Sequence, residues 1–272
     1  MRAAWRFGRS TLVLAALALF LGEGGRAGAA IITWNSATGS QITGDSDVAT
    51  TGTLVIPQDA LNIGSPGVPP TTINGVTFQG AGFPNGTSVN AFGRFVFLTS
   101  GTFFSGNSIQ SFAPPFANLS SSYQQLLASI AGVGGEGAQF TLTINGLTVG
   151  ERYEFQWWLD DSQEDSPQFF TTATAGNTVT LSSNTGNPDG GLGKFALGTF
   201  TADTASEVIT FAEDGGFTHL AGINGLQLRD LGRAPPSPTI PEPSSLALFG
   251  LGGLGLAGWR RWRRTRNRQG VV

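Results

Sequence analysis

Residues 153–160 have the sequence YEFQWWLD, and this stretch shows the fold class of the 272-residue chain most clearly. Side chains of a β-strand point alternately to opposite faces. One face of this strand would carry Tyr153, Phe155, Trp157 and Leu159, and the other would carry Glu154, Gln156, Trp158 and Asp160. We predict that the first face packs into a core, and that the second is a polar face containing one tryptophan.

The same two-residue period recurs along the chain. Side chains alternate with a two-residue period over 140–145 and 195–200, and short β-rich runs cover 178–181, 208–211 and 223–228. Ile-Asn-Gly occurs at 73–75, 144–146 and 223–225, and Asn-Gly accepts the positive φ angles of tight turns. The pattern therefore predicts an all-β sandwich with recurring Asn-Gly turns, stabilised without cysteine by its twenty phenylalanines and its β-branched residues.

One short helix is expected in this sandwich. Ser121 or Ser122 can cap a segment that continues to Ala131, with apolar residues on one face and Gly132 at its end. Residues 132–137 would then form a flexible connection, and the proline-containing stretch 57–70 would form a loop.

The N-terminus has the three parts of a secretory leader. Arg2, Arg6 and Arg9 precede an apolar run over 12–21, and the small residues Ala27-Gly28-Ala29 follow. We expect residues 1–29 to be removed by signal peptidase, so that the mature chain begins near Ala30. An uncut N-terminal membrane anchor is the alternative.

The C-terminus contains a second targeting segment. Pro241, Glu242 and Pro243 follow a proline-rich spacer, and residues 244–262 form a predicted transmembrane helix whose uncharged part, 244–259, spans only about 24 Å against a bilayer core of roughly 30 Å. Arginines that close the segment would stay cytoplasmic, with the tail 263–272. The predicted anchor consists of Leu246, Leu248, Phe249, Leu251, Leu254, Leu256 and Trp259, and the stop signal of Arg260, Arg261, Arg263, Arg264, Arg266 and Arg268. A core helix with a basic, nucleic-acid-binding tail is the alternative.

Pro-Glu-Pro, a short apolar helix and an arginine cluster together resemble the PEP-CTERM sorting signal, also labelled the ice-binding protein C-terminal domain. The resemblance covers about a tenth of the chain, 241–268. It implies export, transient membrane retention and recognition by an exosortase, with delivery to a cell surface or matrix associated with exopolysaccharide and biofilm. Ice binding itself would need a repeated flat array, whereas the pairs Thr141/Thr143 and Thr178/Thr180 are isolated in sequence.

The domain between the two targeting segments, 30–233, is strongly acidic. It holds five basic and sixteen acidic residues, a formal charge of −11, against −3 for the whole chain. Such a surface repels nucleic acid and anionic lipid, and it suits cations or neutral polymers.

A second resemblance lies within this domain. NGLTVGERY at 145–153, the aromatic strand ending at Asp160, GTFTAD at 198–203 and NGLQLR at 224–229 resemble a jelly-roll module of exported proteins from planctomycete-like bacteria. That module is similar in fold to galactose-binding-like and carbohydrate-binding sandwiches, and it implies no catalytic residues.

Two ligand sites are predicted around the aromatic strand. A tryptophan beside hydrogen-bonding groups is typical of sugar-binding grooves, so Trp158, Glu154, Gln156 and Asp160 are candidate glycan-binding residues. Packing of Trp158 beneath a loop or the helix is the alternative. The oxygen-rich cluster Asp160, Asp161, Glu164 and Asp165 could hold a structural Ca²⁺, although a solvated acidic loop is the alternative and no EF-hand spacing is present.

The sequence favours a binding role over catalysis. Glu154 and Asp160 could act as a glycosidase pair only if they faced each other across a cleft. His219 is the single histidine, and the sequence contains no Gly-x-Ser-x-Gly nucleophile elbow for a Ser-His-Asp hydrolase. We therefore expect a non-enzymatic surface protein associated with polysaccharide. A purely structural envelope component and an extracellular glycan hydrolase are the alternatives.

Overall fold

A computed structural model describes residues 30–107, 113–162, 169–186, 188–216 and 219–233. The predicted leader, spacer, membrane helix and tail lie outside these residues. Within them, no helix has the length and apolar character needed to cross a membrane.

The described chain contains seventeen strands and one α-helix. The strands of the first half are β1 (Thr33–Trp34), β2 (Ser40–Gln41), β3 (Ala60–Gly64), β4 (Thr71–Ile73), β5 (Val76–Gly82), β6 (Val89–Phe92), β7 (Phe95–Leu98) and β8 (Phe104–Asn107). After the helix α1 (Ser121–Leu127) come β9 (Ser129–Gly134), β10 (Gln139–Asn145), β11 (Glu151–Leu159), β12 (Phe169–Ala175), β13 (Asn177–Ser182), β14 (Lys194–Thr201), β15 (Ser206–Gly216), β16 (Leu220–Ile223) and β17 (Gly225–Arg233).

These strands form three sheets. The eight-stranded sheet has the order β1-β14-β11-β17-β3-β5-β4, with β2 also beside β14. The six-stranded sheet has the order β13-β12-β15-β10-β7-β6, and a three-stranded sheet has the order β16-β9-β8. All pairings are antiparallel except that of β3 with β5.

The main core lies between the two large sheets. Tyr153, Phe155, Trp157 and Leu159 of β11 are all buried in it, as the alternation predicts. Phe211 of β15 meets Trp157 edge-to-face, with ring centroids 5.0 Å apart. The prediction of an all-β sandwich with one short helix is therefore confirmed.

A second core covers the outer face of the eight-stranded sheet. It contains Trp158, Phe78 and the helix residues Tyr123, Leu126 and Leu127. The eight-stranded sheet is thus buried on both faces, and this was not predicted from the alternation in 153–160.

The helix differs from its prediction at both ends. Ser120 is the N-cap, since its hydroxyl accepts a hydrogen bond from the Tyr123 amide at 3.2 Å. The helix ends at Leu127 because the next residues form β9, which pairs with β8 and β16. Residues 132–137 are therefore partly strand rather than a flexible connection, and Ile130 lies on a strand.

Two further predictions, of a loop and of recurring turns, were wrong in part. Part of the expected loop 57–70 is β3, whose five residues are all buried. Only Asn74-Gly75 forms a tight hairpin turn, with φ of 50° and 77°. Asn224 instead lies buried between β16 and β17, where its side-chain amide donates to the carbonyl oxygens of Leu127, Ser129 and Asp160.

Candidate binding face

Trp158 does not form a sugar platform, because its side chain is completely buried. Its indole nitrogen donates to the Tyr123 hydroxyl at 2.9 Å, and its ring meets Phe78 edge-to-face with centroids 5.4 Å apart. The structure thus confirms the alternative, packing of Trp158 beneath the helix, and corrects the predicted glycan groove. The helix α1 packs over this face of β11 and buries the Trp158 side chain.

The polar residues beside Trp158 hold a backbone segment, Asp47–Gly52, which we name the strap. Gln156 donates to the Asp47 carbonyl at 2.6 Å and accepts from the Ala49 amide at 3.0 Å. From β17, Gln227 donates to the Ala49 carbonyl, and the Arg229 guanidinium donates to three strap carbonyls at 2.6–3.0 Å. These side chains pair with backbone groups, so Gln156 is not free to bind a glycan.

Glu154 lies opposite Arg229 in the register of β11 and β17. Partial burial raises the pKa of Glu154, while the nearby Arg229 charge acts to lower it. Arg229 is itself buried, and this burial lowers its pKa. The two groups lie opposite each other on neighbouring strands, and the charge of each acts on the pKa of the other.

Asp160 is also fully buried, and it accepts the Gly193 amide at 2.6 Å. Burial raises the pKa of Asp160 well above its usual value, which favours the neutral acid. Because the Asp160 carboxyl is enclosed, it does not line a cleft in which it could act with Glu154.

The predicted calcium site is described only in part. Glu164 and Asp165 lie outside the described residues, and Asp161 is buried beside Asp160. No group of three or more metal-ligating His, Cys, Asp or Glu side chains occurs in the described ranges. Calcium binding by Asp160, Asp161, Glu164 and Asp165 stays a prediction.

A different surface, the outer face of the six-stranded sheet, has the character of a binding face. Strand register aligns its outward side chains in rows that cross the sheet. We name this surface the threonine face. Its rows are Thr178, Thr174, Thr210, Thr141, Leu98 and Val89; then Thr180, Thr172, Ala212 and Gln139; then Val208, Thr143, Val96 and Ala91.

The first row crosses all six strands, a width of about 24 Å at the usual strand spacing of ~4.8 Å. Its threonines present hydroxyl and methyl groups side by side, and Leu98 and Val89 are each 51% exposed at its end. Cross-strand hydroxyl pairs hold Thr172 to Thr180 at 3.0 Å and Thr174 to Thr178 at 3.2 Å. These hydrogen bonds restrain the side chains of the four threonines.

No side chain in the three rows is charged, although the domain is acidic; Asp214, which accepts from Thr180 at 3.1 Å, lies at the margin. An open depression of about 360 Å³ lies on this face. It is lined by Leu98, Thr99, Ser100, Gln139, Phe140, Thr141 and Thr210. The surface therefore combines apolar contact area, hydroxyl groups and a shallow concavity without electrostatic repulsion.

The sequence contains this face only in fragments. Thr141/Thr143 and Thr178/Thr180 show the two-residue period, yet they are 35 or more positions apart. Strands β12 and β15 lie between them in the sheet and supply Thr174 and Thr210. The interpretation of these threonine pairs as isolated was wrong, because the strand order joins them.

Comparison with known proteins identifies the C-terminal segment. Residues 239–264 match the PEP-CTERM protein-sorting motif, which indicates an exported protein with membrane-anchored sorting. No curated protein sequence matches the chain.

Solved structures show only distant likeness. A crystal structure of exo-β-1,3-galactanase from Phanerochaete chrysosporium with galactose is 15% identical, with a TM-score of 0.24, and the match covers 49% of this chain and 32% of that one. A structure from work on carbohydrate-binding modules of the β-sandwich superfamily is 12% identical, with a TM-score of 0.16, over 57% of this chain and 71% of that one. The match thus spans about a third of the galactanase, and likeness at this level carries no argument about function.

Proposed function

We propose that this chain is a non-catalytic cell-surface or matrix protein that associates with extracellular polysaccharide through the threonine face. Its export follows from the sorting motif at 239–264. We further propose that signal peptidase removes residues 1–29 and that an exosortase processes the chain at Pro241-Glu242-Pro243.

The single observation that supports the ligand class is the uncharged row of threonines across the six-stranded sheet. Sugars present hydroxyl groups beside apolar C–H faces, and the threonine face offers the matching pair of groups. The threonines of the first row recur at the strand spacing of ~4.8 Å. A polymer could therefore repeat the same weak contact from strand to strand.

The non-catalytic role is supported by the positions of the candidate acids. Asp160 is buried and accepts the Gly193 amide, and Glu154 lies opposite Arg229 in the register of β11 and β17. Neither carboxyl lines the depression on the threonine face. Weak, repeated association would suit a protein held at a polysaccharide-rich surface.

A charge-insertion experiment tests this proposal. Thr141→Glu combined with Thr210→Glu places two carboxylates on a cross-strand pair at the centre of the face. We expect sedimentation with insoluble polysaccharides, or with exopolysaccharide from the source bacterium, to fall at least tenfold, because ionised groups would have to be desolvated on contact.

Thr72→Glu combined with Thr77→Glu is the matched control. These threonines form a similar exposed cross-strand pair, with hydroxyls 3.0 Å apart, on β4 and β5 outside the face. Equal binding by the wild type, the control and the face variant would refute the assignment of the threonine face.

A further inference from the structure

Glu207 is a charged residue on the core side of a strand. It lies on β15 in alternation with exposed Val208, and the next inward residues, Ile209 and Phe211, belong to the main core. Glu207 is only 1% exposed. A buried carboxylate is costly unless a positive group or several hydrogen-bond donors compensate it.

The described residues supply only part of that compensation. Backbone amides of Ala30 and Val208 donate to the Glu207 carboxylate, while its Oε1 atom has no hydrogen-bond partner. Burial raises the pKa of Glu207 to about 7, and the like charge of Asp203 acts in the same direction. The two ion pairs found in the described ranges, Arg94–Asp59 and His219–Glu213, do not include Glu207.

Ala30 is held firmly beside this carboxylate. Its side chain is 6% exposed and belongs to the main core. Two residues later, the Ile32 amide donates to the Ala175 carbonyl at 3.0 Å, and β1 then pairs with β14. The nitrogen of Ala30 is therefore fixed against Glu207 by the fold of the first strand.

Removal of the leader would convert the Ala30 nitrogen from a backbone amide into a free α-amino group. Ala27 and Ala29 occupy the third and first positions before Ala30, where signal peptidase requires small residues. We propose that Glu207 is the docking site for the α-ammonium group that cleavage between Ala29 and Ala30 creates. The ion pair then forms only in the processed protein.

The chemistry of the two forms differs at one atom. In the precursor the Ala30 nitrogen is an amide with one hydrogen and no charge, so it can satisfy a single carboxylate oxygen. After cleavage it is an ammonium with three hydrogens and a positive charge, so it can also reach the unpartnered Oε1. Processing thus converts a costly buried acid into a charge-assisted pair that anchors the first strand.

This inference is independent of polysaccharide binding, but it depends on leader removal after Ala29. Two forms of the chain to Val272, prepared in detergent, would test it. One begins at Ala30 with a free amine, and the other carries one additional glycine, so that the Ala30 nitrogen remains an amide. We expect the free-amine form to have a melting temperature higher by roughly 3–10 °C near pH 7.

The pH dependence gives a second measurement. In the glycine-extended form Glu207 keeps its proton up to about pH 7, against an ordinary value of 4.5. Its stabilisation is therefore present below about pH 4.5 and is lost as the pH rises through 7. The ammonium of the free-amine form should lower the pKa of Glu207, so the difference in melting temperature should widen from about pH 5 to about pH 7, below the ordinary α-amino pKa of roughly 7.7–8.0.

Glu207→Gln provides the control, since a neutral amide can accept a hydrogen bond but cannot form an ion pair with the ammonium group. We expect it to abolish the difference between the two forms. If the variant does not fold, a carbon-13 titration of the Glu207 carboxyl in the two wild-type forms still distinguishes them. Equal melting temperatures and equal titration curves would overturn the proposal.

Mass spectrometry of the exported protein separates the two premises. A mature N-terminus at Ala30 is the expected result. Any other N-terminus overturns the proposal through its processing step, and leaves polysaccharide binding by the threonine face unaffected.

Discussion

Replacement of Trp158 separates a structural role from a ligand-binding role. The side chain is completely buried in the second core, against Phe78 and the Tyr123 hydroxyl. Trp158→Ala therefore removes a large core side chain and should destabilise the protein by about 3–5 kcal/mol. For a domain of this size that corresponds to a fall in melting temperature of roughly 6–20 °C.

Trp158→Phe keeps most of the packing but removes the indole N–H. The Tyr123 hydroxyl then loses its donor, although it remains within 3.3 Å of Asp47. We expect a loss of about 1–3 kcal/mol from the missing hydrogen bond and the smaller ring. Trp34→Phe is the matched control, because Trp34 is only partly buried and its 3.3 Å bond to the Asn177 carbonyl is exposed. That substitution should cost less than about 1 kcal/mol.

Urea unfolding followed by circular dichroism measures these changes without relying on tryptophan fluorescence. Polysaccharide sedimentation should be carried out at a temperature where each variant remains folded. We expect binding by Trp158→Phe to equal that of the wild type. Lost binding together with an unchanged free energy of unfolding in Trp158→Ala would refute this reasoning and restore Trp158 as a ligand contact.

Two further predictions concern the polar groups beneath the outer face of the same sheet. Arg229→Met should destabilise the domain by about 1–3 kcal/mol, because the guanidinium donates to three strap carbonyls. Hydrogen exchange of the backbone amides of residues 47–52 should accelerate more than exchange in β10. Unchanged exchange in the strap would contradict this prediction. Asp160→Asn should reduce the loss of stability that accompanies rising pH. Since burial raises the pKa of Asp160, its stabilisation is present below the unfolded value near 3.8 and declines as the pH rises through the folded value. Urea unfolding at about pH 4 and pH 8 would show the difference, and parallel pH profiles for wild type and variant would contradict it.

The sandwich and its main core were predictable because their signal is local. Phe140, Leu142 and Ile144 alternate with polar residues, and a two-residue period assigns them to one face without knowledge of the partner strand. The same pattern predicted the buried row Tyr153, Phe155, Trp157 and Leu159. The sorting motif was also predictable, because it is contiguous in sequence.

The helix end and β9 were not predictable in the same way. Residues 121–131 carry apolar residues at helical spacing, yet Ile130 belongs to a strand. Pairing with β8 and β16 decides its conformation, and both partners are distant in sequence. Tertiary pairing here overrides the local periodicity.

The sequence alone determined the sorting motif of this protein, the all-β character of its domain and the composition of its main core, since each depends on contiguous composition or on a short period. Only the tertiary structure decided that Trp158 and Gln156 are buried beneath a helix and a strap, and that threonines from β10, β12, β13 and β15 share one surface. Alternation assigns side chains to two faces of a strand but does not show what covers each face. That depends on strand order and on packed segments far away in sequence.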